Sequence, residues 1–449
     1  MIFCPICRKE FPKKAGLAQH NKNKNKCKPP VPEIIEILLE PTPKHKSEQA
    51  TTEFRDSSIL FNTTLTKEER QTSGIFFTPK KVRDILFDKI SGLSLHPSNI
   101  LEPSFGSGEF LFDLRDRYPS SNIVGVEINK ELYNSVSSDD RLQLVHADFL
   151  EFESDVQFDI IVGNPPYFVQ EKTQTQTTNQ QMMLGRPNIY IKIMYKCLSK
   201  HLAPNGYLAF IIPTSIYNCA YYQPMRDYIV KNTRICHVET LEKPGFHDTC
   251  QETTLLIVQN IQIPLVQQKF VFQSVNGNLY ISPHFEELKA ISAGSTTINA
   301  LGLSVKTGNV VWNQVKDHLV EQTKKDKDTG KLLIYSGNIK NSKLVLNNLT
   351  GEKKQYVNGL IKPTLTDDGV ILVDRGYGNS VNFNFIMIRK EEQTDFYVEN
   401  HLNVIYGPIS KLERVFQSLK DSRTIRFVMI FNGNGTLSAT DLKSIVPIF

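Results

Sequence analysis

Several features that define other classes of protein are absent from this 449-residue chain. No apolar run approaches the roughly 18 residues that a transmembrane helix needs. The longest run, at 207–213, has the length of a buried strand. The N-terminus carries no apolar segment of the signal-peptide kind. These absences predict a soluble, intracellular protein without a membrane partner, and they do not distinguish cytoplasm from nucleus.

Cysteine is too scarce and too unevenly placed for a disulfide framework. Of the seven cysteines, three fall within the first 28 residues, and the other four are scattered among mostly apolar neighbours. An odd count in an intracellular chain favours reduced thiols. The sequence also shows no internal repeat and no carboxylate–lysine cluster typical of a nuclease, so a fused restriction activity is not expected.

The net charge of +5 is concentrated at the N-terminus. Residues 1–28 hold eight Lys or Arg and one Glu, a net of +7, which leaves −2 for the remainder of the chain. A small basic unit of this kind is suited to contact with phosphates.

Composition divides the chain into four parts: a Cys/His unit at 1–28, a proline-interrupted linker at 29–71, an alternation of strands and helices at 72–264, and an irregular region at 265–449. The alternation predicts an α/β fold with a mostly parallel sheet covered on both faces. The last two strands leave little room for a helix between them and predict an antiparallel edge hairpin. The predicted strands are 100–102, 122–128, 142–146, 159–162, 207–212, 237–241 and 254–258, and the predicted helices include 79–90, 130–136 and 188–201.

A glycine-rich turn follows the first of these strands, in the run Glu102-Pro-Ser-Phe-Gly-Ser-Gly108. Glycines let the backbone approach a ligand closely, and the amides at the start of the next helix face it. Glu127 ends the next strand, where a carboxylate can accept hydrogen bonds from ribose hydroxyls. The turn alone is a weak signal, and a turn without a ligand is the alternative.

The tetrapeptide Asn164-Pro-Pro-Tyr167 follows the strand at 159–162. The prolines stiffen the chain and leave carbonyl groups as acceptors. The side-chain oxygen of Asn164 and the carbonyl of Pro165 can accept both hydrogens of a planar amine, and Tyr167 offers a flat face to a base. A stiff turn without function is the alternative.

The N-terminal unit has the spacing Cys4-x2-Cys7-x12-His20-x6-Cys27. Thiolates and imidazole suit tetrahedral zinc. Phe11 and Leu17 stand where a small nucleic-acid-binding finger packs its core, so the unit resembles the two-cysteine, two-histidine finger with a final cysteine. A basic tail with chance Cys and His residues is the alternative.

Together these motifs resemble the amino-methylating DNA methyltransferases of the gamma group, the TaqI-like adenine enzymes. The resemblance covers roughly 74–264 and, more faintly, the remainder, where 401–405 and 432–438 are similar to target-recognition segments. It implies a Rossmann-like methyltransferase sheet, with 265–449 as the target-recognition domain. Implied cofactor-binding residues are Phe76, Thr78, Glu102, Ser104, Gly106, Gly108, Glu127, Asp148, Phe149 and Asn164; implied catalytic residues are Asn164, Pro165 and Tyr167.

The resemblance implies methyl transfer from S-adenosylmethionine to the N6 amine of a flipped adenine in double-stranded DNA, in a monomer of the restriction-modification type with structural zinc. The family's second aromatic clamp on the base is not assigned, and Phe246 is a candidate. Three alternatives stay open: methylation of adenine in RNA, methylation of a protein glutamine, and an inactive DNA-binding regulator.

Overall fold

The computed structural model describes residues 2–3, 10–11, 54–55, 58–59, 61, 76–93, 95–169, 188–241, 252–320, 330–346, 349, 351–360, 369–376, 383–392, 395–432 and 436–449. The chain divides into two compact units, Met1–Glu48 and Gln49–Phe449. Among the described residues, no helix is both long and apolar enough to cross a membrane.

In the first unit, strands β1 (Ile2–Phe3) and β2 (Glu10–Phe11) form an antiparallel hairpin. Its register pairs Ile2 with Phe11 and Phe3 with Glu10. The predicted zinc ligands lie outside the described residues, namely Cys4, Cys7, His20 and Cys27.

A seven-stranded sheet dominates the second unit. Its strands are β3 (Asn99–Glu102), β4 (Asn122–Glu127), β5 (Leu142–His146), β6 (Phe158–Gly163), β7 (Leu202–Pro213), β8 (Arg234–Leu241) and β9 (Thr253–Gln259). The spatial order is β5-β4-β3-β6-β7-β9-β8. β9 pairs antiparallel with both of its neighbours, and the other pairs are parallel. The predicted mostly parallel sheet is confirmed, with the two last strands forming the expected antiparallel edge hairpin.

Helices cover both faces of this sheet and bury apolar side chains against it. They are α1 (Lys80–Ser91), α2 (Glu109–Arg117), α3 (Lys130–Asn134), α4 (Ile189–Lys196, continued by a π-helical turn at Cys197–His201) and α5 (Gln223–Asn232). Leu86 of α1 and Leu111 of α2 belong to one core, whereas Tyr190 of α4 and Ile229 of α5 belong to another. The parallel strands therefore end at a shared edge flanked by helices on both sides, where such sheets bind ligands.

Smaller sheets and further helices follow in the remaining part of the chain. The strands are β10 (Val271–Gln273), β11 (Leu279–Ile281), β12 (Ser304–Thr307), β13 (Leu319–Val320), β14 (Lys331–Ile334), β15 (Ile339–Lys340), β16 (Lys343–Leu344), β17 (Tyr356–Val357), β18 (Gly369–Asp374), β19 (Phe385–Arg389), β20 (Phe396–Val398) and β21 (Leu402–Tyr406). The helices are α6 (Phe285–Ser292), α7 (Ile409–Lys420), α8 (Ser422–Phe431) and α9 (Ala439–Ser444). The four-stranded sheets have the orders β12-β21-β18-β19 and β13-β17-β14-β20.

The first part of this region packs on the seven-stranded sheet domain. The Gln268 amide donates to the carbonyls of Val230 and Thr233, at the end of α5. Buried Arg226 of α5 donates through Nε to the carbonyl of Leu279, at 2.8 Å. Residues up to β11 therefore share the sheet domain's packing, although the sequence pattern changes at Pro264.

Candidate active site

A cavity of about 340 Å³ lies at the carboxyl edge of β3, β4 and β6. Ligand sites in open α/β sheets lie at this edge, and small-molecule sites begin at about this volume. The lining residues are Phe76, Phe77, Pro103, Ser104, Gly106, Glu127, Ile128, Asn129, Leu132, Ala147, Asp148, Phe149, Asn164, Pro166, Phe168, Ile189 and Ile193. Most of them are apolar, and the polar groups are few and individually placed.

The glycine-rich turn forms one wall of the cavity. Gly106 and Gly108 have φ of 57° and 81°, in the left-handed region that favours glycine. A Cβ on Gly106 would meet only the Phe77 ring, at 3.8 Å, and would project into otherwise open space. A Cβ on Gly108 would lie 3.0 Å from Phe112 and from Val136. Gly106 therefore keeps the wall open, and Gly108 lets the turn pack against its helix.

Glu127 ends β4 with its carboxylate fixed at the cavity. The side chain is 7% exposed, and its Oε2 accepts from the Gly106 amide at 2.8 Å. Its Oε1 accepts from the Asn129 amide at 2.7 Å. Burial raises the pKa of Glu127 in spite of these bonds. Each carboxylate oxygen can accept more than one hydrogen bond, so Glu127 is an oriented acceptor for hydroxyl groups.

An apolar slot with one acidic edge extends from Glu127. Ile128, 64% exposed, follows the acid directly, and Phe149 is buried after β5. Ile193 of α4 adds a further apolar side chain to the lining. Asp148 lies at its edge, with Oδ1 accepting from the Leu150 amide at 2.8 Å. The slot is suited to a flat ring that carries a hydrogen-bond donor.

Asn164 follows β6 and reaches the same cavity with an oriented amide. Its Nδ2 donates to Thr78 Oγ1 at 3.0 Å. Because Nδ2 is held by Thr78, Oδ1 is the atom directed elsewhere, and it accepts from the Tyr167 hydroxyl. The backbone carbonyl of Thr78 accepts in turn from Arg83 Nη1. A buried chain of polar contacts therefore holds the Asn164 amide.

The Tyr167 hydroxyl has a second acceptor, the Ile211 carbonyl of β7 at 2.7 Å. One hydroxyl hydrogen can satisfy only one of the two acceptors at a time. The ring packs edge-on against Tyr190, with centroids 6.0 Å apart and planes at 82°. Burial raises the pKa of Tyr167 well above its ordinary value, so the hydroxyl stays protonated.

Most of the predicted cofactor residues meet at this one cavity. Those that line it are Phe76, Ser104, Gly106, Glu127, Asp148, Phe149 and Asn164. Thr78, Glu102 and Gly108 are not among the residues that line it, and neither are Pro165 and Tyr167 of the tetrapeptide. Burial, followed by the charge of Glu127, raises the pKa of Glu102 well above its ordinary value. Its Oε2 has no hydrogen-bond partner among the described residues.

Sequence reasoning missed the apolar walls of the cavity. Phe168 follows the tetrapeptide, and Ile189 and Ile193 come from α4. One feature of the sequence could have indicated an apolar wall: Ile128 is an apolar residue directly after the acid Glu127 at a strand end. The candidate aromatic Phe246 lies outside the described residues. Within the described part of the chain, no group of three or more His, Cys, Asp or Glu side chains could hold a metal.

The chain matches known DNA-modifying proteins. Residues 110–246 match the model of the Eco57I restriction-modification methylase family. The type II methyltransferase M.CvrRI of Paramecium bursaria Chlorella virus XZ-6E is 32% identical over 397 residues, covering 88% of this chain and 99% of the relative. The modification methylase CviBIII of Paramecium bursaria Chlorella virus NC1A is 31% identical over 396 residues, covering 87% and 97%.

A further relative matches a shorter part of the chain. The tRNA1(Val) (adenine(37)-N6)-methyltransferase of Glaesserella parasuis serovar 5 is 30% identical over 128 residues, covering 26% of this chain and 53% of the relative. The matches to M.CvrRI and CviBIII, by contrast, span almost the whole of each relative. The chain therefore belongs to the type II methyltransferases and is a site-specific DNA methyltransferase.

Proposed function

We propose that this enzyme methylates the N6 amine of adenine in double-stranded DNA, as a member of the gamma group. The observation that carries the proposal is the Asn164 amide, fixed beside the cavity at the end of β6 with its oxygen directed away from Thr78. The similarity to a transfer-RNA enzyme named for adenine N6 supports the same target atom.

S-adenosylmethionine fits the cavity. The open wall at Gly106, the oriented carboxylate of Glu127 and the apolar slot ending at Asp148 match an amino-acid end, a ribose and an adenine ring. Glu127 would hold the ribose hydroxyls, and Asp148 would accept from the ring's amine. When bound, the cofactor supplies an electrophilic methyl group on a sulfonium.

The residues of the tetrapeptide prepare the target amine. An adenine amine is a weak nucleophile because its lone pair is delocalised into the ring. Asn164 Oδ1 and the Pro165 carbonyl accept its two hydrogens, which favours a pyramidal nitrogen and positions it for in-line transfer. The Tyr167 hydroxyl then keeps its bond to Ile211, which leaves Asn164 Oδ1 to the amine. The base is reached by flipping from the duplex, and its ring stacks on Tyr167.

Thr78 acts in this scheme as a positioning residue for Asn164. Thr78→Val removes the acceptor of Asn164 Nδ2, and an unsatisfied buried polar group costs about 1–3 kcal/mol. We expect kcat to fall about tenfold, with affinity for S-adenosylmethionine unchanged. Thr78→Ser keeps the hydroxyl and should retain most activity. Equal losses in the two variants, measured by steady-state kinetics, would assign Thr78 to packing instead.

Glu127 is expected to control cofactor affinity and its pH dependence. Glu127→Gln weakens hydrogen bonds to a charged acceptor that are worth about 1.5–3 kcal/mol, so affinity should fall roughly tenfold to a hundredfold. Because burial raises the pKa of Glu127, wild-type affinity should decline as pH falls through that raised pKa. The variant should lack this decline. Calorimetry across pH tests both effects, with the exposed Glu131→Gln as the unaffected control.

The outlying regions have separate roles in this proposal. Residues 265–449 form the target-recognition domain, following the sheet domain at 72–264 and the linker at 29–71. Residues 1–28 form a zinc finger with Cys4, Cys7, His20 and Cys27 as ligands. The hairpin of β1 and β2 supports the finger, because its strands flank the Cys4–Cys7 segment.

Deletion of residues 1–28 should weaken DNA binding and reduce its salt dependence. The segment's net charge of +7 favours phosphate contacts, which carry no sequence information. The methylated sequence should therefore stay the same, and transfer should persist at high enzyme concentration. Metal analysis should find one zinc in the full chain and none after the deletion. A changed methylation site, or a full chain without zinc, would contradict the assignment.

The target atom is tested by digesting DNA from cells that express the enzyme and measuring N6-methyladenine by mass spectrometry. We expect N6-methyladenine in DNA from cells that express the wild type and none in DNA from cells that express Asn164→Ala. Purified DNA, RNA and protein are methylated in parallel with a labelled cofactor. Methyl groups on cytosine, or preferential labelling of RNA, would overturn the assignment to adenine in DNA.

A further inference from the structure

A second cavity, of about 560 Å³, lies in the C-terminal region, away from the cofactor cavity in sequence. The lining residues that matter here are Trp312, Lys340, Lys353, Asp374, Asn384 and His401. A Cβ on Gly337, which also lines the cavity, would meet no atom within 4 Å, so the space beside Gly337 is open. The lining is rich in hydrogen-bond donors and acceptors, whereas the cofactor cavity is mostly apolar.

Hydrogen bonds orient two of the side chains that line this cavity, Asp374 and His401. Asp374 ends β18, and its Oδ1 accepts from the Gly376 amide at 3.0 Å. His401 is held through Nδ1 by Glu399 Oε1 at 2.5 Å, and Glu399 is 1% exposed. The Oε2 of Glu399 also accepts from the His401 amide at 3.0 Å. These hydrogen bonds hold the Asp374 and His401 side chains in place in the free protein.

Cationic and aromatic side chains also line this cavity. Trp312 is the chain's single tryptophan, and the Lys353 ammonium lies 5.4 Å from its ring centroid. The same ammonium lies 5.3 Å from the Tyr335 ring centroid, so two aromatic rings steer its position. Lys340 adds an exposed second cation from β15.

Two hydrogen bonds anchor the chain near this cavity, one beside β18 and one between α8 and the segment after β7. Arg375, next to Asp374, accepts at its carbonyl from the Leu437 amide, at 2.6 Å. Leu437 follows α8, whose last residue, Phe431, accepts at its carbonyl from Asn218 Nδ2 at 2.5 Å. Asn218 lies just beyond β7, at the carboxyl edge that carries the active site. The region that carries the second cavity is therefore packed on the segment that follows β7.

We propose that this cavity reads one G·C pair of the recognition sequence through the major groove. Asp374 accepts from the N4 amine of cytosine, and Lys340 and Lys353 donate to O6 and N7 of guanine. A carboxylate matches the cytosine amine, and an ammonium matches the two guanine acceptors, better than they match the other bases. The inference rests on the proposed role of 265–449 in target recognition.

The test measures sequence preference independently of which base is methylated. A randomised duplex library is methylated with tritiated methyl groups, and the labelled duplexes are sequenced. The enzymes compared are the wild type, Asp374→Asn, Lys353→Met and Lys340→Met. We expect each variant to lose discrimination at one G·C position by roughly tenfold to a hundredfold, with the rest of the site intact. Lys343→Met is the matched control, because Lys343 pairs with Lys340 in the same hairpin and does not line the cavity.

Substitution of 7-deazaguanine at that position removes the N7 acceptor, so it should weaken wild-type methylation and have a smaller effect in the variant that lacks the lysine bound to N7. An unchanged site in all three variants would overturn the proposal, as would a uniform loss across all sequences, which would mean phosphate contact alone. Affinity for S-adenosylmethionine and thermal melting confirm that each variant is folded. Nucleoside digestion of the same products identifies the methylated base, so an error in the adenine assignment is seen separately from an error in this one.

Discussion

Asn164→Ala is expected to lower kcat by at least about 100-fold, the usual effect of removing one preorganised transition-state contact. The amide contributes only when the amine becomes pyramidal, so its loss falls on the chemical step. Affinity for S-adenosylmethionine should stay within about twofold, because Glu127 and the apolar slot hold the cofactor. Single-turnover methyl transfer and calorimetry measure the two quantities separately.

Two further variants sharpen this expectation. Asn122→Ala removes an exposed amide from the first residue of β4, at the end of the strand away from the active site, and should leave kcat unchanged. Tyr167→Phe keeps the stacking ring and loses the hydroxyl bond to Ile211, so it should retain far more activity than Tyr167→Ala. If Asn164→Ala lost cofactor affinity and kcat together, Asn164 would belong to the cofactor site and the amine contact would be wrong.

The parallel core of the sheet could be predicted from sequence because its strands are buried on both faces. Such strands are apolar runs, and the central strand β6, buried along most of its length, contains the predicted 159–162. The edge strand β5 is only partly buried, yet it too begins and ends at the predicted residues, Leu142 and His146. The helices α1 and α3 start within one residue of their predicted starts. These elements are defined by local periodicity and capping, which a single sequence carries.

The start of β7 could not be predicted, because the sequence there is typical of a turn. Pro204-Asn205-Gly206 suggests a loop, yet the strand begins at Leu202. Leu202 pairs with Phe158 and Tyr207 with Ile160, so the extra residues bulge out of the register. Asn205 takes φ of 63° within that bulge. Pairing with β6 on one side overrides the local preference for a turn.

Long-range polar contacts were also invisible to sequence reasoning. Arg226 is fully buried in α5 and donates to the carbonyl of Cys219 at 2.7 Å as well as to that of Leu279. An isolated arginine predicts an exposed position, and only the folded chain brings these carbonyls together. The same holds for Thr78, whose contact with Asn164 joins positions 86 residues apart.

The tightest of these networks surrounds Arg83 of α1. Its Nη1 lies 2.9 Å from Glu109 Oε2, and its Nε donates to Asp113 Oδ2 at 2.7 Å. The three side chains are 4%, 5% and 15% exposed. Arg83→Met leaves two carboxylates buried without their cation, and breaking such a pair costs about 3–5 kcal/mol. We expect this loss in the free energy of unfolding of the sheet domain.

Hydrogen exchange of the β3 and β4 amides measures the loss, since Trp312 lies outside this sheet and its fluorescence would report elsewhere. Lys80→Met in the same helix is the control. Its pair with Asp84 is 49% and 37% exposed, and such i,i+4 pairs contribute about 0.3–0.5 kcal/mol. Adding Glu109→Gln and Asp113→Asn to Arg83→Met should restore much of the stability, because no uncompensated charge then stays buried.

The restored triple variant separates stability from catalysis. Arg83 Nη1 also donates to the carbonyl of Thr78, whose hydroxyl holds Asn164. The triple variant lacks that donor, so its kcat should stay as low as that of Thr78→Val even where its unfolding free energy approaches that of the wild type. If kcat recovered together with stability, Arg83 would stabilise the fold without positioning Asn164. If kcat stays low in a stable protein, Arg83 positions Asn164 through Thr78, in addition to stabilising the fold through its buried ion pairs.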